Sequence, residues 1–202
     1  MASSRALTTL ALITAASTLG CATPYGTAQT ALRQGRYEEA ASRFQDVLTQ
    51  SPDRLDALLG LGVTRYKLGA YDEAVAALGR LVAQAPNSET AHLYLGISHL
   101  QRGEEGPAAE HLAKYVQLKP GTRLAREVER ALQLVRDERL SPALRAFVAG
   151  SLDAGADWEH DVQEAREARL AAERAYSWRP FYPFYPGVGP CFVTRSGHLL
   201  CY

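Results

Sequence analysis

The chain has 202 residues, of which 22 are Lys or Arg and 22 are Asp or Glu, so its formal net charge at pH 7 is +0. This balance argues against binding of nucleic acid through a general basic surface, because such binding requires clustered positive charge. Hydrophobic residues make up 47% of the chain and charged residues 22%, which argues against wholesale disorder. Three cysteines are too few for a small disulfide-dense fold.

Residues 1–20 have the composition of an export signal. A short segment with one positive side chain, Arg5, precedes an uncharged run from Ala6 to Leu19. This run is shorter than the roughly 20 residues that a helix needs to span the hydrocarbon core of a bilayer. It is typical of the apolar core of a signal peptide, so we predict that residues 1–20 are a signal peptide and not a membrane span.

The end of this segment, Leu19-Gly20-Cys21, resembles the cleavage site of bacterial lipoproteins, although Thr18 stands where that family usually has Leu. The resemblance implies lipidation of Cys21, with palmitate among the acyl chains and a stable membrane anchor. Ala22 replaces the Asp that retains many such proteins in the inner membrane, which implies the outer membrane of the cell envelope, facing the periplasm. The alternative is an ordinary secretory signal, leaving a soluble secreted or periplasmic protein with a free thiol.

The middle of the chain repeats every 34 residues. A glycine, an alanine, a large apolar residue and a proline recur at this interval, at Gly35, Gly69 and Gly103; Ala40, Ala74 and Ala108; Phe44, Leu78 and Leu112; and Pro52, Pro86 and Pro120. The segment 61–74 resembles the tetratricopeptide repeat (TPR). The resemblance implies three repeats, at 21–54, 55–88 and 89–122, each a helix pair that stacks on the next to form an α-solenoid.

The repeat also has a physical interpretation that is independent of the family. Gly69 lies where the first helix of its pair must end, and glycine accepts the left-handed conformation common at such ends. Gly62 and Ala74 leave room for the two helices to approach closely. Pro86 ends the second helix because proline lacks an N–H group.

Residues 123–176 predict C-terminal helices that cap the solenoid. Thr122 precedes a helix with one apolar stripe and one charged face, and Ser141 precedes a second helix. Gly155 predicts an interruption, after which a third helix runs from Ala156 to about Tyr176. This third helix is interpreted as a solvated helix with a modest docking stripe, and the alternative is a dimerising coiled coil.

The TPR resemblance implies that the first helix of each pair lines a concave surface that binds a ligand. The predicted groove residues are Leu59, Val63, Tyr66, Lys67, Leu93, Ile97, Leu100 and Gln101, and the first repeat adds Tyr25, Gln29, Leu32 and Arg33. This wall is mainly aliphatic and aromatic, so the expected ligand is an apolar helix or extended segment of a protein partner. The other possibility is that another part of the same chain covers the wall.

Residues 177–202 predict a tail of prolines and aromatic rings that ends in a short hairpin. Rings and prolines alternate from Trp178 to Gly187, which indicates an extended segment that either packs on the solenoid or binds another chain. Pairing around Ser196 places Cys191 opposite Cys201. In an exported protein we expect these two cysteines to form a disulfide, and the alternatives are a metal pair or redox thiols.

The sequence contains no recognisable catalytic, phosphate-binding or zinc-binding motif, so we predict no enzyme activity, no metal and no cofactor. We interpret His92 and His99 as packing residues and His111 as exposed. The predicted fold is all-α, and the predicted function is an envelope lipoprotein that acts as a TPR scaffold for protein–protein interaction. The alternatives are an assembly factor resembling the pilotins of pilus and secretion complexes, a structural oligomer held by the aromatic tail, and an enzyme with its site in the last 50 residues.

Overall fold

The computed structural model describes residues 23–137, 140–177, 191–193 and 199–201. The chain divides into two compact units, with the boundary after Trp158. The predicted signal peptide, Cys21 and the aromatic segment 178–187 lie outside the described residues. In the part that is described, no helix is both long and apolar enough to cross a membrane.

The described residues form eight α-helices and a two-stranded hairpin, which confirms the predicted all-α class. The helices are α1 (Pro24–Arg33), α2 (Tyr37–Gln50), α3 (Leu55–Lys67), α4 (Tyr71–Gln84), α5 (Glu89–Arg102), α6 (Glu105–Leu118), α7 (Arg123–Asp137) and α8 (Pro142–Ser177). From α1 to α7 each helix packs against the next along the chain, and α3 also contacts both α1 and α5. Helices α1 to α6 therefore form three stacked pairs, and α1, α3 and α5 share one face of the stack.

The turn inside each pair is built on a left-handed glycine. Gly35, Gly69 and Gly103 have φ values of 71°, 75° and 77°. At the second turn, the N–H group of Gly69 donates to the carbonyl of Tyr66 (2.9 Å), and that of Ala70 donates to the carbonyl of Arg65 (2.9 Å). These bonds satisfy carbonyl groups at the helix end, so a residue that tolerates positive φ is required there.

The helices of a pair approach closely where the repeat has small residues. Gly62 of α3 lies directly against Leu78 of α4, and a Cβ atom at position 62 would overlap the Leu78 side chain. Ala74 of α4 is fully buried. The predicted close approach at Gly62 and Ala74 is thus present.

Helix α7 closes the end of the three pairs by packing on α6. Its N-terminus is capped as predicted, because the N–H group of Ala125 donates to Thr122 Oγ1 (3.0 Å). One stripe of the helix is buried, at Leu124, Ala125, Val128, Ala131, Leu132 and Val135. The charged residues between them stay at the surface, which is the pattern expected of a capping helix.

The prediction of a helix break at Gly155 is wrong, because α8 runs without interruption from Pro142 to Ser177. Gly155 does not have a positive φ. A Cβ atom at this position would lie 2.7 Å from Leu124 Cδ1 of α7. The glycine therefore allows α8 to pass close to α7, and it does not end the helix.

In the second unit, most of the helical residues from 163 to 175 are exposed, and Arg169 pairs with Glu173 at 2.9 Å. The same unit contains strands β1 (Cys191–Val193) and β2 (Leu199–Cys201). They pair antiparallel with Cys191 opposite Cys201, the register predicted from the sequence. The disulfide between these cysteines stays a prediction, because their side chains lie outside the described part of the chain.

Candidate protein-binding groove

We define the inner face as the surface shared by α1, α3 and α5, because the predicted groove residues belong to these three helices. The structure divides those residues into two groups. Leu59 and Val63 of α3 are only partly buried, as are Tyr25 and Leu32 of α1, and Gln29 is exposed. We call these five residues the open wall.

The predicted groove residues on α5 are not an open surface. Leu93, Ile97 and Leu100 are buried, with exposed fractions of 2%, 0% and 0%, and Gln101 is partly buried. They belong to one hydrophobic core with Val148, Ala149 and Leu152 of α8. The expectation that Leu93, Ile97 and Leu100 line an accessible groove is wrong, because their side chains are buried in this core.

An ion-pair cluster joins α8 to the inner face. Lys67 at the end of α3 donates from Nζ to Asp153 Oδ2 (2.8 Å) and to Asp157 Oδ2 (2.7 Å) of α8. The Lys67 side chain is 11% exposed, Asp153 is 19% exposed and Asp157 is 59% exposed. Tyr94 of α5 donates its hydroxyl proton to Asp153 Oδ1 (3.1 Å). The two carboxylates are one helical turn apart, so both reach a single ammonium group.

The surroundings of this cluster favour a charged Lys67 and protonated tyrosines. Burial works to lower the pKa of Lys67, but hydrogen bonds and charges from Asp153 and Asp157 outweigh it, so the net shift is upward. Burial, assisted by the negative charge of Asp153, raises the pKa of Tyr94 and of Tyr66. At neutral pH the lysine is therefore charged and both phenols are protonated, so Tyr94 can donate to Asp153.

Aromatic rings pack against one another beside the ion-pair cluster. The ring of Tyr66 meets the ring of Tyr94 edge-on, with centroids 5.4 Å apart, and lies 5.6 Å from the ring of Tyr71. Such pairs orient their side chains and exclude water. Of the predicted groove residues, Tyr66 and Lys67 thus act together with Tyr94 in holding α8.

Further contacts flank the cluster along α8. Arg145 of α8 lies 3.4 Å from Glu105 of α6, a long distance for an ion pair, and its Nε atom is buried without a hydrogen-bond partner. The guanidinium of Arg123 lies over the Trp158 ring, 4.7 Å from its centroid. Between these points α8 presents only small and medium apolar side chains to the core.

The open wall lies on α1 and α3, in the first two repeats, whereas the ion-pair cluster joins the end of α3 to α5 and α8. Its Tyr25 ring packs edge-on against Phe44, with centroids 5.9 Å apart, and Arg54 lies 4.5 Å from the Tyr25 ring centroid. Gln29 Nε2 donates to the Tyr25 hydroxyl oxygen (2.9 Å). These contacts fix the aromatic side chain while its surface remains partly accessible, which suits a contact residue for a polypeptide.

A histidine cluster lies between α5 and α6. His92 donates from Nε2 to the carbonyl of Pro86 (3.0 Å), and its Nδ1 lies 3.0 Å from His111 Nδ1. The ring of His111 stacks on His99, whose Nδ1 contacts Glu104 at 2.6 Å. His92 is buried, as predicted for a packing residue. The prediction that His111 is exposed is wrong, because it faces His92 across the helix pair.

Burial, together with the nearby His92 and His99, lowers the pKa of His111. Because His92 Nε2 faces the Pro86 carbonyl, the remaining nitrogen of its ring, Nδ1, pairs with His111 Nδ1, and the donor of this contact depends on the tautomer. A cavity of about 480 Å³ adjoins the pair and is also lined by Glu110, Lys114 and Arg136. Among the residues that the structure describes, no group of three or more His, Cys, Asp or Glu side chains is arranged to hold a metal ion.

Comparison with known proteins agrees with this architecture. Residues 31–95 match the tetratricopeptide repeat family. No curated protein sequence matches the chain significantly. Among solved structures, the chain is similar to MamA (residues 41 to the end) from Desulfovibrio magneticus RS-1, with a TM-score of 0.54 and 22% identity over 65% of this chain and 75% of that one.

Two similar structures contain bound peptides. The Yersinia enterocolitica type III secretion chaperone SycD, in complex with a peptide of the translocator YopD, matches with a TM-score of 0.53 and 23% identity over 56% of this chain and 89% of that one. The first TPR domain of Spaghetti (RPAP3), bound to an HSP90 peptide, matches with a TM-score of 0.50 and 16% identity over 55% of this chain and 91% of that one. At these identities the similarity shows a shared TPR-like fold.

Proposed function

We propose that the protein is a non-enzymatic scaffold that binds a segment of another polypeptide on its inner face. The observation that carries this proposal is that α8 already lies on part of this face, with Val148, Ala149 and Leu152 in the core and two carboxylates on Lys67. The face therefore has the shape and chemistry to hold a helix. The peptide complexes of SycD and RPAP3 support the same use of a TPR-like surface.

Among the residues that the structure describes, the open wall is a part of the inner face that keeps apolar side chains partly exposed. Leu59 and Val63 are partly exposed there beside Tyr25. A partner that covers these side chains gains about 25 cal/mol for each Å² of apolar surface removed from water. We therefore place first contact with the partner at the open wall.

A crosslinking pull-down from native membranes tests this proposal with Leu59→Glu and Val63→Glu. Both positions are partly exposed, so the folded helix tolerates the charge, whereas a desolvated contact does not. We expect loss of the proteins captured by the unaltered chain. The matched control is Ala76→Glu, an exposed position on α4, which should leave capture unchanged. Equal capture by all three variants would move the binding surface elsewhere.

We also propose that the scaffold is anchored in the bacterial cell envelope by lipid on Cys21. The resemblance of Leu19-Gly20-Cys21 to a lipoprotein cleavage site supports this assignment. Helix α1 begins at Pro24, so at most about 11 Å of extended chain separates the Cα atoms of Cys21 and Pro24. A lipid on Cys21 would hold the first repeat close to the membrane surface and restrict partners to those that reach it.

A further inference from the structure

The contacts of α8 describe the chemistry of a ligand for the inner face. We infer that the region of the inner face around Lys67 and Tyr94 is a binding site for an amphipathic helix of the partner that carries two carboxylates one turn apart beside an apolar stripe, and that α8 occupies this site when the partner is absent. This inference rests on the proposed function and names the partner class for that surface.

The need for carboxylates follows from the burial of Lys67. Its side chain is only 11% exposed, and both of its ion pairs are made with α8. A helix that takes the place of α8 would cover Lys67 and the Tyr94 hydroxyl again, and both groups would then need acceptors from that helix. An unpaired buried charge is strongly unfavourable, so any helix that replaces α8 must supply equivalent acceptors.

The need for an apolar stripe follows from the three α8 side chains that belong to the hydrophobic core. Leu93, Ile97 and Leu100 are buried, in one core with Val148, Ala149 and Leu152 of α8. These α8 residues recur at positions three and four apart, which places them on one side of the helix. A replacing helix without such a stripe would not restore the part of the core that Val148, Ala149 and Leu152 form.

Helix α8 contacts the inner face along one side only. Its exchange for a helix of the partner is therefore feasible. Its outer surface exposes Phe147 (73% exposed), and Trp158 is 47% exposed although the guanidinium of Arg123 lies over its ring. On the inner side the apolar anchors are small, and the contact between Arg145 and Glu105 is long at 3.4 Å. The tether to α7 nonetheless gives α8 a millimolar effective concentration, which an outside helix must overcome.

A synthetic peptide with the sequence of residues 141–165 of this chain is the probe for the site. We would measure its binding to the full chain by fluorescence anisotropy, using unaltered protein and an Asp153→Asn/Asp157→Asn variant. The variant weakens the tethered competitor but keeps Lys67, so we expect its Kd for the peptide to be at least tenfold lower than that of the unaltered protein. A peptide with Asn at positions 153 and 157 should not show this tenfold difference between the two proteins.

Three controls make the test decisive. Adding Lys67→Gln to the variant should return the Kd to that of the unaltered protein. Asp161→Asn/Glu167→Gln, which removes two exposed carboxylates of the same helix, should change nothing. If the double variant is poorly folded by circular dichroism, Asp157→Asn alone provides a milder test, because Asp157 is 59% exposed, and a Kd lowered at least threefold is then expected.

Equal Kd values for variant and unaltered protein, or equal binding of the Asn peptide, would overturn the inference. A doubled molar mass of the variant without peptide uptake would also overturn it, since the site would then take α8 of a second copy. None of these results depends on the open wall. If the peptide experiment fails but capture still depends on Leu59 and Val63, only the inference of an acidic helix is wrong. If capture does not depend on Leu59 and Val63, the proposed function itself is wrong.

Discussion

Lys67 and Asp153 are 86 positions apart in the chain, yet Lys67 Nζ lies 2.7 Å from Asp153 Oδ1 at a site where the lysine is almost fully buried. This pair joins the second helix pair of the solenoid to a helix that follows all three. It makes part of the inner face an internal contact of the chain. The stability of the fold and the access of a partner therefore depend on the same few charged atoms.

Lys67→Ala should destabilise the protein by about 2–4 kcal/mol, because it leaves Asp153 without its charged partner in a largely buried place. The free energy of unfolding from urea denaturation measures the effect. Arg130→Ala is the control, since Arg130 is exposed on α7, and it should change stability by less than about 0.5 kcal/mol. Similar small changes for both variants would mean that the ion pair contributes little.

The helix crossing at Gly62 predicts opposite effects of two glycine substitutions. Gly62→Ala places a methyl group into Leu78, so it should destabilise the fold by about 1–3 kcal/mol despite the better helix propensity of alanine. Gly79→Ala lies on the exposed side of α4, where no atom lies within 4 Å of the new Cβ, and should stabilise by about 0.5–1 kcal/mol. Thermal or urea unfolding of both variants checks the sign of each change.

The histidine cluster predicts a loss of stability in mild acid. The folded state lowers the pKa of His111 below its ordinary value of 6.5, so the unfolded chain binds a proton more readily as pH falls through that value. Stability should decrease below pH 6.5 and be fully retained above it. His111→Gln should flatten the change in the urea midpoint between pH 7.5 and 5.5. The charged or titratable neighbours that remain in the variant are His92, His99, Glu104, Glu110, Lys114 and Arg136.

An unchanged slope in His111→Gln would assign the pH dependence to other groups. His160→Gln is the matched control, because His160 is exposed in the second unit and contacts only the carboxylate of Glu164 among the described ion pairs, at 3.4 Å. This control should retain the full loss of stability in acid.

The lipid proposal predicts that Cys21→Ser abolishes labelling with radioactive palmitate in the source bacterium. Cys191→Ser should keep the label, because only Cys21 lies in the lipoprotein-like sequence. Membrane retention of Cys21→Ser without label would show that another feature anchors the protein.

The strand register predicts that Cys191 and Cys201 carry no free thiol in protein isolated from the envelope, since they are opposite each other in the hairpin. Alkylation before and after reduction, read by mass spectrometry, distinguishes the two states. Two thiols that react before reduction would rule out the disulfide.

The sequence predicts the repeats well because their signals are local. Gly35, Gly69 and Gly103 mark turns whose left-handed conformation depends on a single residue, and Gly62 marks a crossing within one helix pair. Each signal recurs after 34 residues, so the stacking of identical units follows directly.

The position of α8 could not be predicted in this way. Asp153 and Asp157 look like ordinary surface residues of a charged helix, and only the folded chain brings them to Lys67. Gly155 indicated a helix end by its identity, whereas its role is to let α8 pass Leu124. His111 was missed for a related reason: its contact with His92 joins two helices, α5 and α6, and no local pattern in α6 marks it.

A photocrosslinking amino acid at position 59, compared with one at exposed position 76, tests the binding surface most directly. In the source bacterium, irradiation should join position 59 to a specific polypeptide, identified by mass spectrometry, whose crosslinked segment is an amphipathic helix with paired carboxylates. Position 76 should give no such product. Identical products from both positions, or none from position 59 while the protein is captured by its partner elsewhere, would contradict the account.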